Sequence, residues 1–186
     1  MLRSAIGQAG AARLKQRRNC MTRETYIRMT SATRAVVSRL PRGSIWLRLP
    51  TLACAAVYLA MLLALMLAGD PRIIRVLLVP AACFVLCTAL RPIINRQRPY
   101  DRFGVEPVGS FVPGKGKSMP SRHTASAAAI ACAVIWLWPV WPVAAAMGLL
   151  CAVIAGLRVL SGQHDVSDVL AALALAAAVS LAGYLL

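Results

Sequence analysis

The sequence predicts an all-α protein, a polytopic membrane helical bundle of about five transmembrane helices, and three observations carry that prediction. First, 59% of the 186 residues are Ala, Val, Ile, Leu, Met, Phe, Trp, Tyr or Cys, and the mean hydropathy is +0.67. A soluble domain stays at roughly 45–50% apolar even with Gly counted. Second, only 15% of the residues are charged, and 21 Lys and Arg against 6 Asp and Glu give a net charge of +15. Third, the apolar residues gather in long runs and the charges are concentrated outside them. A soluble bundle of buried helices is the alternative, and it fails because the runs have almost no polar face to meet water. Disorder fails because the chain is too apolar.

The cysteines do not form a disulfide framework. Cys54, Cys83, Cys87, Cys132 and Cys151 lie inside apolar runs, only Cys20 lies outside, and no Cys-x-x-Cys pair occurs. They read as buried small hydrophobes rather than as metal ligands or a redox pair.

In chain order, residues 1–48 form a basic leader with 11 of the 21 basic residues and one acid, Glu24. The leader lacks both the run of about 20 apolar residues that a membrane span needs and the apolar stretch with small-residue cleavage site of a secretory signal. Over residues 25–40, Ile27, Val36, Val37 and Leu40 interleave with arginines, the pattern of a helix lying on the membrane surface. A transmembrane domain, residues 49–186, follows. Its five apolar runs are 49–69, 73–90, 124–138, 143–160 and 169–186. The third is short, but Trp136, Trp138 and Trp141 around Pro139 and Pro142 read as an interfacial aromatic belt and a tight turn.

The one long polar connection, residues 91–123, carries seven Lys or Arg, two acids and several Gly and Pro. Counting crossings places this loop, the break at 158–168 and the N-terminus on one side of the membrane. The turns at 70–72 and 139–142 face the other side. Nearly every charge is therefore on one face, and that is where chemistry is expected.

Three polar clusters share that face. Arg91 and Arg98 are seven apart, two helical turns, so a continuing helix projects both from one side with Asn95 between them and Pro99 as its end. Taken alone, they read better as an anchor for anionic head groups than as a site. Pro120-Ser121-Arg122-His123 precedes the third run, where Ser121 can cap the helix and the first free N–H groups attract an anion. His123 alone reads equally as an interfacial histidine bonded to backbone. Arg158 lies near the end of the fourth run, and His164 and Asp168 follow at i and i+4 as the fifth begins. That spacing lets a carboxylate hold one ring nitrogen and leave the other as a nucleophile. Asp165 and Asp168 read otherwise as dipole partners of the helix start, which leaves His164 and Arg158 unexplained beside the hydrocarbon. Together the clusters supply arginines for a multiply charged anion, a helix N-terminus and two histidines, the equipment for phosphoryl transfer without a metal. The acids Asp101, Glu106, Asp165 and Asp168 are too few and scattered for an octahedral Mg²⁺ site.

Arg98-Pro99 with a basic residue seven back, Pro120-Ser121-x-His123, and Arg158 followed by His164 and Asp168 resemble the three-part signature of the type 2 phosphatidic acid phosphatase superfamily, which includes lipid phosphatases and vanadium haloperoxidases. The resemblance covers about residues 91–186. It implies a phosphatase without metal or other cofactor, in which His164 attacks phosphorus to form a phosphohistidine and Asp168 orients it. His123 would protonate the leaving group and later activate water. Arg91, Arg98 and Arg158 would neutralise the phosphate oxygens, with Ser121 and the backbone N–H groups around Arg122 completing the cradle.

The chain departs from the family where it has Arg91 for the usual Lys, Arg122 for the usual Gly and Leu157 for the usual Ser. Familiar membrane members have six spans with the site facing away from the cytoplasm. Here the basic leader falls on the side of the site, which the positive-inside rule assigns to the cytoplasm, although catalytic arginines inflate that count and both orientations stay open.

The expected function is therefore hydrolysis of a lipid phosphomonoester or diphosphate, of phosphatidic acid, phosphatidylglycerophosphate or undecaprenyl diphosphate type, by an enzyme of the lipid bilayer. A non-catalytic lipid-phosphate binding protein is the alternative, and it would need only the arginines and helix ends, not His123, His164 and Asp168. Haloperoxidase chemistry is disfavoured, since those relatives are soluble and much larger. Gly114-Lys115-Gly116-Lys117-Ser118 invites a nucleotide-binding loop, but Phe111 stands where that motif needs Gly, and no strand precedes it. Nucleic-acid binding is not expected, because the basic residues flank membrane spans and no reading module is present. Oligomeric state is unspecified; the Ala-rich stretch 171–178 suits close packing within the chain or across a dimer.

Overall fold

A computed structural model describes residues 21–43, 45–113 and 116–185; Cys20 and the first part of the basic leader lie outside the described residues. The described chain folds into helices α1 (Arg23–Arg39), α2 (Leu49–Leu67), α3 (Ile73–Ile94), α4 (Pro99–Phe103), α5 (Arg122–Leu137), α6 (Trp141–Leu160) and α7 (Val166–Leu185). No strand occurs among the described residues.

Among the described residues, four segments, Leu49–Leu67, Ile73–Phe103, Trp141–Leu160 and Val166–Leu185, are long and apolar enough to cross a membrane. The third apolar run of the sequence becomes α5, only 16 residues long. At 1.5 Å per residue that is about 24 Å, short of the roughly 30 Å hydrocarbon core. Its place in the fold explains why it need not be longer. α5 packs against α2, α3, α6 and α7, and Ala125, Ala127, Ala128, Ala129, Ala131 and Ala133 are all buried along it. Small side chains let surrounding helices approach closely. The five runs are thus four membrane-length helices arranged about a shorter central one.

Two core clusters lie along this axis. Near the polar end, Cys54, Cys83, Cys87 and Cys151 join the alanines of α5 and Ala172 and Ala176 of α7, so these cysteines pack as small hydrophobes. Towards the other end, Met61, Val76, Val134, Leu137 and Tyr184 fill the interior, and Trp136 stacks on Tyr184 with centroids 4.9 Å apart. Large apolar residues including Leu59, Leu67, Val85, Leu149 and Leu170 point outward and are exposed. An outward apolar belt of this extent suits acyl chains rather than water.

α1 begins at Thr22, whose side chain accepts from the Thr25 N–H at 3.3 Å. The apolar residues that mark this stretch in the sequence are not its seat, since Ile27, Val36 and Leu40 are exposed while Tyr26 and Thr30 are buried. Tyr26 Oη donates to the carbonyls of Val105 at 3.1 Å and Gly162 at 3.3 Å. Thr33 Oγ1 donates to the Leu160 carbonyl at 3.0 Å, and Arg34 Nη2 to the Glu106 carbonyl at 3.0 Å. α1 therefore lies across the end of the bundle that carries the long polar loop and the 161–165 break, the side that crossing counts assign to it.

Gly162 makes that seat possible. Its φ is +76°, and an added Cβ would stand 2.6 Å from Tyr26 Oη and 2.7 Å from Thr30 Cγ2. Gly162→Ala combines left-handed strain with a clash, and is expected to cost about 1–3 kcal/mol. Thermal unfolding in detergent reads this directly; an unchanged midpoint would show that α1 does not bear on Gly162.

Candidate active site

The site is built where α3 stops. A helix continuing through Arg98 was expected from the spacing, but Asn95 takes a left-handed conformation (φ 41°, ψ 42°) and ends α3 after Ile94. Asn tolerates that region because its short polar side chain can bond locally. Pro99 does not end a helix but starts α4, with Arg98 as the N-cap; Pro suits the first helical position because its missing N–H would have no partner there.

The turn fastens the 116–118 segment. Arg91 Nε donates to the Lys117 carbonyl at 2.8 Å and its Nη2 reaches the same oxygen. Arg98 Nε donates to the Gly116 carbonyl at 3.4 Å, and the Ser118 N–H donates to the Arg96 carbonyl at 2.8 Å. Each arginine spends part of its five-donor fork on backbone, which holds it in place.

Ser118 is thereby set against the His164–Asp168 pair. His164 Nδ1 lies 3.4 Å from Asp168 Oδ2 and 3.4 Å from Ser118 Oγ. Asp168 Oδ2 accepts from Ser118 Oγ and, at 3.0 Å, from the Asp165 N–H. His164 is 3% exposed and Asp168 0%. A carboxylate facing Nδ1 selects the tautomer with its proton there, leaving the lone pair on Nε2. Burial holds His164 below the ordinary imidazole value, against the opposing pull of the Asp168 carboxylate.

Behind this pair stands an ion network. Arg96 Nη2 lies 2.9 Å from Asp165 Oδ2 and Nη1 lies 3.2 Å from Asp168 Oδ1; the second is a charge contact without hydrogen-bond alignment. Arg96 Nη1 also donates to Ser167 Oγ at 2.6 Å. Arg102 reaches both Asp165 oxygens at 3.3 Å. Asp165 is therefore bound by two guanidiniums, which is how a buried carboxylate avoids its desolvation cost; a helix dipole alone would not hold it.

The N-terminus of α5 closes the other side. Ser121 is the N-cap residue, but its side chain makes no cap hydrogen bond, contrary to the capping role expected of it. Its Oγ is taken by Thr124 Oγ1 at 3.1 Å and its N–H donates to the Asp168 carbonyl at 3.1 Å, so Ser121 joins α5 to α7 instead. Arg122 and His123 follow and are exposed. His123 lies within electrostatic reach of Arg158, His164, Arg122 and Arg91. Arg158, at the end of α6, donates from Nη1 to Gln163 Oε1 at 2.8 Å and from Nη2 to Thr51 Oγ1 at 3.4 Å.

All eight residues singled out from the sequence thus stand at one end of the bundle. Among the described residues, none of Arg91, Arg98, Arg122 and Arg158 is ion-paired to a carboxylate. Unpaired guanidiniums around a buried histidine make a site for a multiply charged anion. Beside it a cavity of about 410 Å³ runs between α2, α3, α5 and α6, polar at Thr51, Arg122 and His123 and apolar at Phe84, Ile130 and Ile154. Ser118, Arg96 and Arg102 had no role in the sequence reading. Nothing local marks them, because each acquires its partner across 46 or more residues of chain.

The model of the PAP2 superfamily matches residues 72–186. Among solved structures, the fold is similar to the crystal structure of a transmembrane PAP2-type phosphatidylglycerolphosphate phosphatase from Bacillus subtilis. The TM-score is 0.61 at 22% identity, over 87% of this chain and 85% of that one. No curated protein matches the chain. With four membrane-length helices and this fold, it is a multi-pass membrane protein. The family match spans well over half of the sequence and contains every residue of the three clusters: the chain belongs to the PAP2 superfamily.

Proposed function

We propose that the protein hydrolyses a phosphomonoester or diphosphate of a membrane lipid through a phosphohistidine on His164. The observation that carries this reading is the buried His164–Asp168–Ser118 cluster set among guanidiniums that lack carboxylate partners. A binding protein would need the cations alone, whereas a histidine with one nitrogen fixed by a buried carboxylate is poised for attack. His164 Nε2 displaces the leaving oxygen, Arg91, Arg98 and Arg158 offset the charge on the transferring group, and His123 supplies a proton to an alkoxide and then takes one from water. The mechanism uses no metal.

The lipid assignment rests on where the site is. It lies at the end of membrane-length helices, next to a cavity that continues along α5 from His123 to Ile130, about 10 Å of helix. A head group can react there while its tail stays among apolar side chains. The Bacillus subtilis structure is that of an enzyme acting on phosphatidylglycerolphosphate, which fits the same reading.

The test is phosphate release in detergent micelles with EDTA present, from phosphatidic acid, phosphatidylglycerophosphate and undecaprenyl diphosphate. Release that survives EDTA supports the proposal; protein that binds these lipids but turns over none would favour the non-catalytic alternative.

The pH profile offers a second check. The nucleophile must be neutral, so activity falls as pH drops through the His164 pKa, and that pKa is lowered from 6.5 by burial. The acid limb of kcat/KM, corrected for ionisation of the substrate, is expected below 6.5. A limb above that value would contradict the burial argument.

A further inference from the structure

Arg122 is placed differently from the other arginines of the site. Arg91 and Arg98 are tied by hydrogen bonds to the 116–118 backbone, and Arg158 to Gln163 and Thr51. Arg122 is exposed at the first turn of α5, and it shares the wall of the 410 Å³ cavity with its neighbour His123. In the proposed reaction His123 is the group that meets the leaving oxygen. Arg122 therefore lines, with His123, the cavity whose apolar part would take the tail, which puts it on the leaving-group side of the proposed reaction.

The charge count points the same way. A terminal phosphate carries about −2 at neutral pH, which three arginines already offset. Arg122 adds a fourth cation whose field reaches Arg91 as well as His123, with no carboxylate pair among the described residues. Clustered like charges repel, so this arrangement is at its best when a further anionic group occupies the leaving-group side.

We infer that Arg122 recognises a second phosphate within the leaving group, so that the preferred substrate is a lipid with two phosphate groups in series rather than a simple phosphomonoester. The inference rests on the phosphatase reading and refines its substrate class. On a diphosphate, the bond from His164 Nε2 to the outer phosphorus forms as the bond from that phosphorus to the bridging oxygen breaks. The electron pair stays on the bridging oxygen, which becomes an oxygen of the inner phosphate and takes the proton of His123, while Arg122 offsets the charge that this phosphate keeps. Water then attacks the phosphohistidine, giving up its proton to His123, and releases inorganic phosphate.

The experiment compares farnesyl diphosphate with farnesyl monophosphate, which share one tail, as substrates of the full chain in detergent micelles. Wild type is expected to prefer the diphosphate. Arg122→Gly is expected to lower the diphosphate-to-monophosphate ratio of kcat/KM roughly 10- to 100-fold, the range of a charge-assisted hydrogen bond. Arg122→Lys should keep part of the ratio, since it keeps the charge without the fork, and it reads the effect even if the glycine variant folds poorly. A ratio unchanged by both substitutions, or a wild type that prefers the monophosphate, would overturn the inference while leaving a phosphatase. A wild type that releases phosphate from neither compound nor from the lipids above would overturn the phosphatase reading itself.

Discussion

Replacing His164 by alanine is expected to abolish phosphate release, by roughly ten-thousand-fold or more, because the attacking atom is gone and water has no comparable route to the phosphorus. Asp168→Asn should come close to it for a reason visible in the contacts. Asp168 Oδ2 accepts from Ser118 Oγ and the Asp165 N–H while facing His164 Nδ1, and Oδ1 faces Arg96 Nη1. An amide presents one acceptor oxygen, so its NH₂ must point either at Arg96 or at these donors. Either choice sets donor against donor in a buried place. Steady-state release from detergent-solubilised lipid checks both variants, with lipid binding measured in parallel. Retained binding with lost turnover is the expected pattern; full turnover by His164→Ala would remove the nucleophile from the account.

The second large effect lies behind the site, at Arg96. Its side chain is 15% exposed and touches Asp165, whose side chain is 1% exposed, and Asp168, at 0%. Arg96→Met would leave Asp168 Oδ1 without a cation and Asp165 to Arg102 alone. Removing one partner of a buried ion network costs about 3–5 kcal/mol, since the remaining charge stays out of water. Thermal unfolding in detergent is expected to show that loss, and activity should fall with it because Asp168 is no longer held against His164. Arg96→Lys should recover only part, as one ammonium cannot span two carboxylates as the fork does. A loss below about 1 kcal/mol for Arg96→Met would mean the network behaves like a surface ion pair.

Hydropathy made the helices legible, because runs without a polar face have few alternatives to burial or lipid. It could not rank them. The 124–138 run looks like its neighbours in composition, and only the packing of α5 against α2, α3, α6 and α7 makes it the enclosed central helix. Crossing counts likewise found the polar end, since each of the five helices of the bundle, the short α5 included, carries the chain to the opposite end. Local spacing brought His164 and Asp168 to notice, although His164 stands two residues ahead of α7 and meets Asp168 from the turn rather than along the helix.

Spacing failed where a single residue redirects the backbone. A left-handed Asn95 sends Arg96 and Arg98 to different partners, which a seven-residue interval cannot foresee. Ser121 has a capping residue's position, yet Thr124 takes its oxygen. Ser118, Arg96 and Arg102 are tertiary in origin. They matter because of Asp165 and Asp168, and those carboxylates are brought to them only by the assembled bundle.

A covalent phosphoryl bond to His164 is the step on which the proposed chemistry stands. Its most direct measurement is to mix the protein with a lipid phosphate in EDTA, quench during turnover at alkaline pH, where a phosphoramidate survives, and locate the phosphoryl group by peptide mass spectrometry. A phosphoryl group on His164 in the wild type is the expected result, with His123→Ala slow both in forming and in hydrolysing that species, because one ring serves as the acid of the first step and the base of the second. Turnover with no phosphorylated His164 at any quench time, or with the label on another residue, would contradict it.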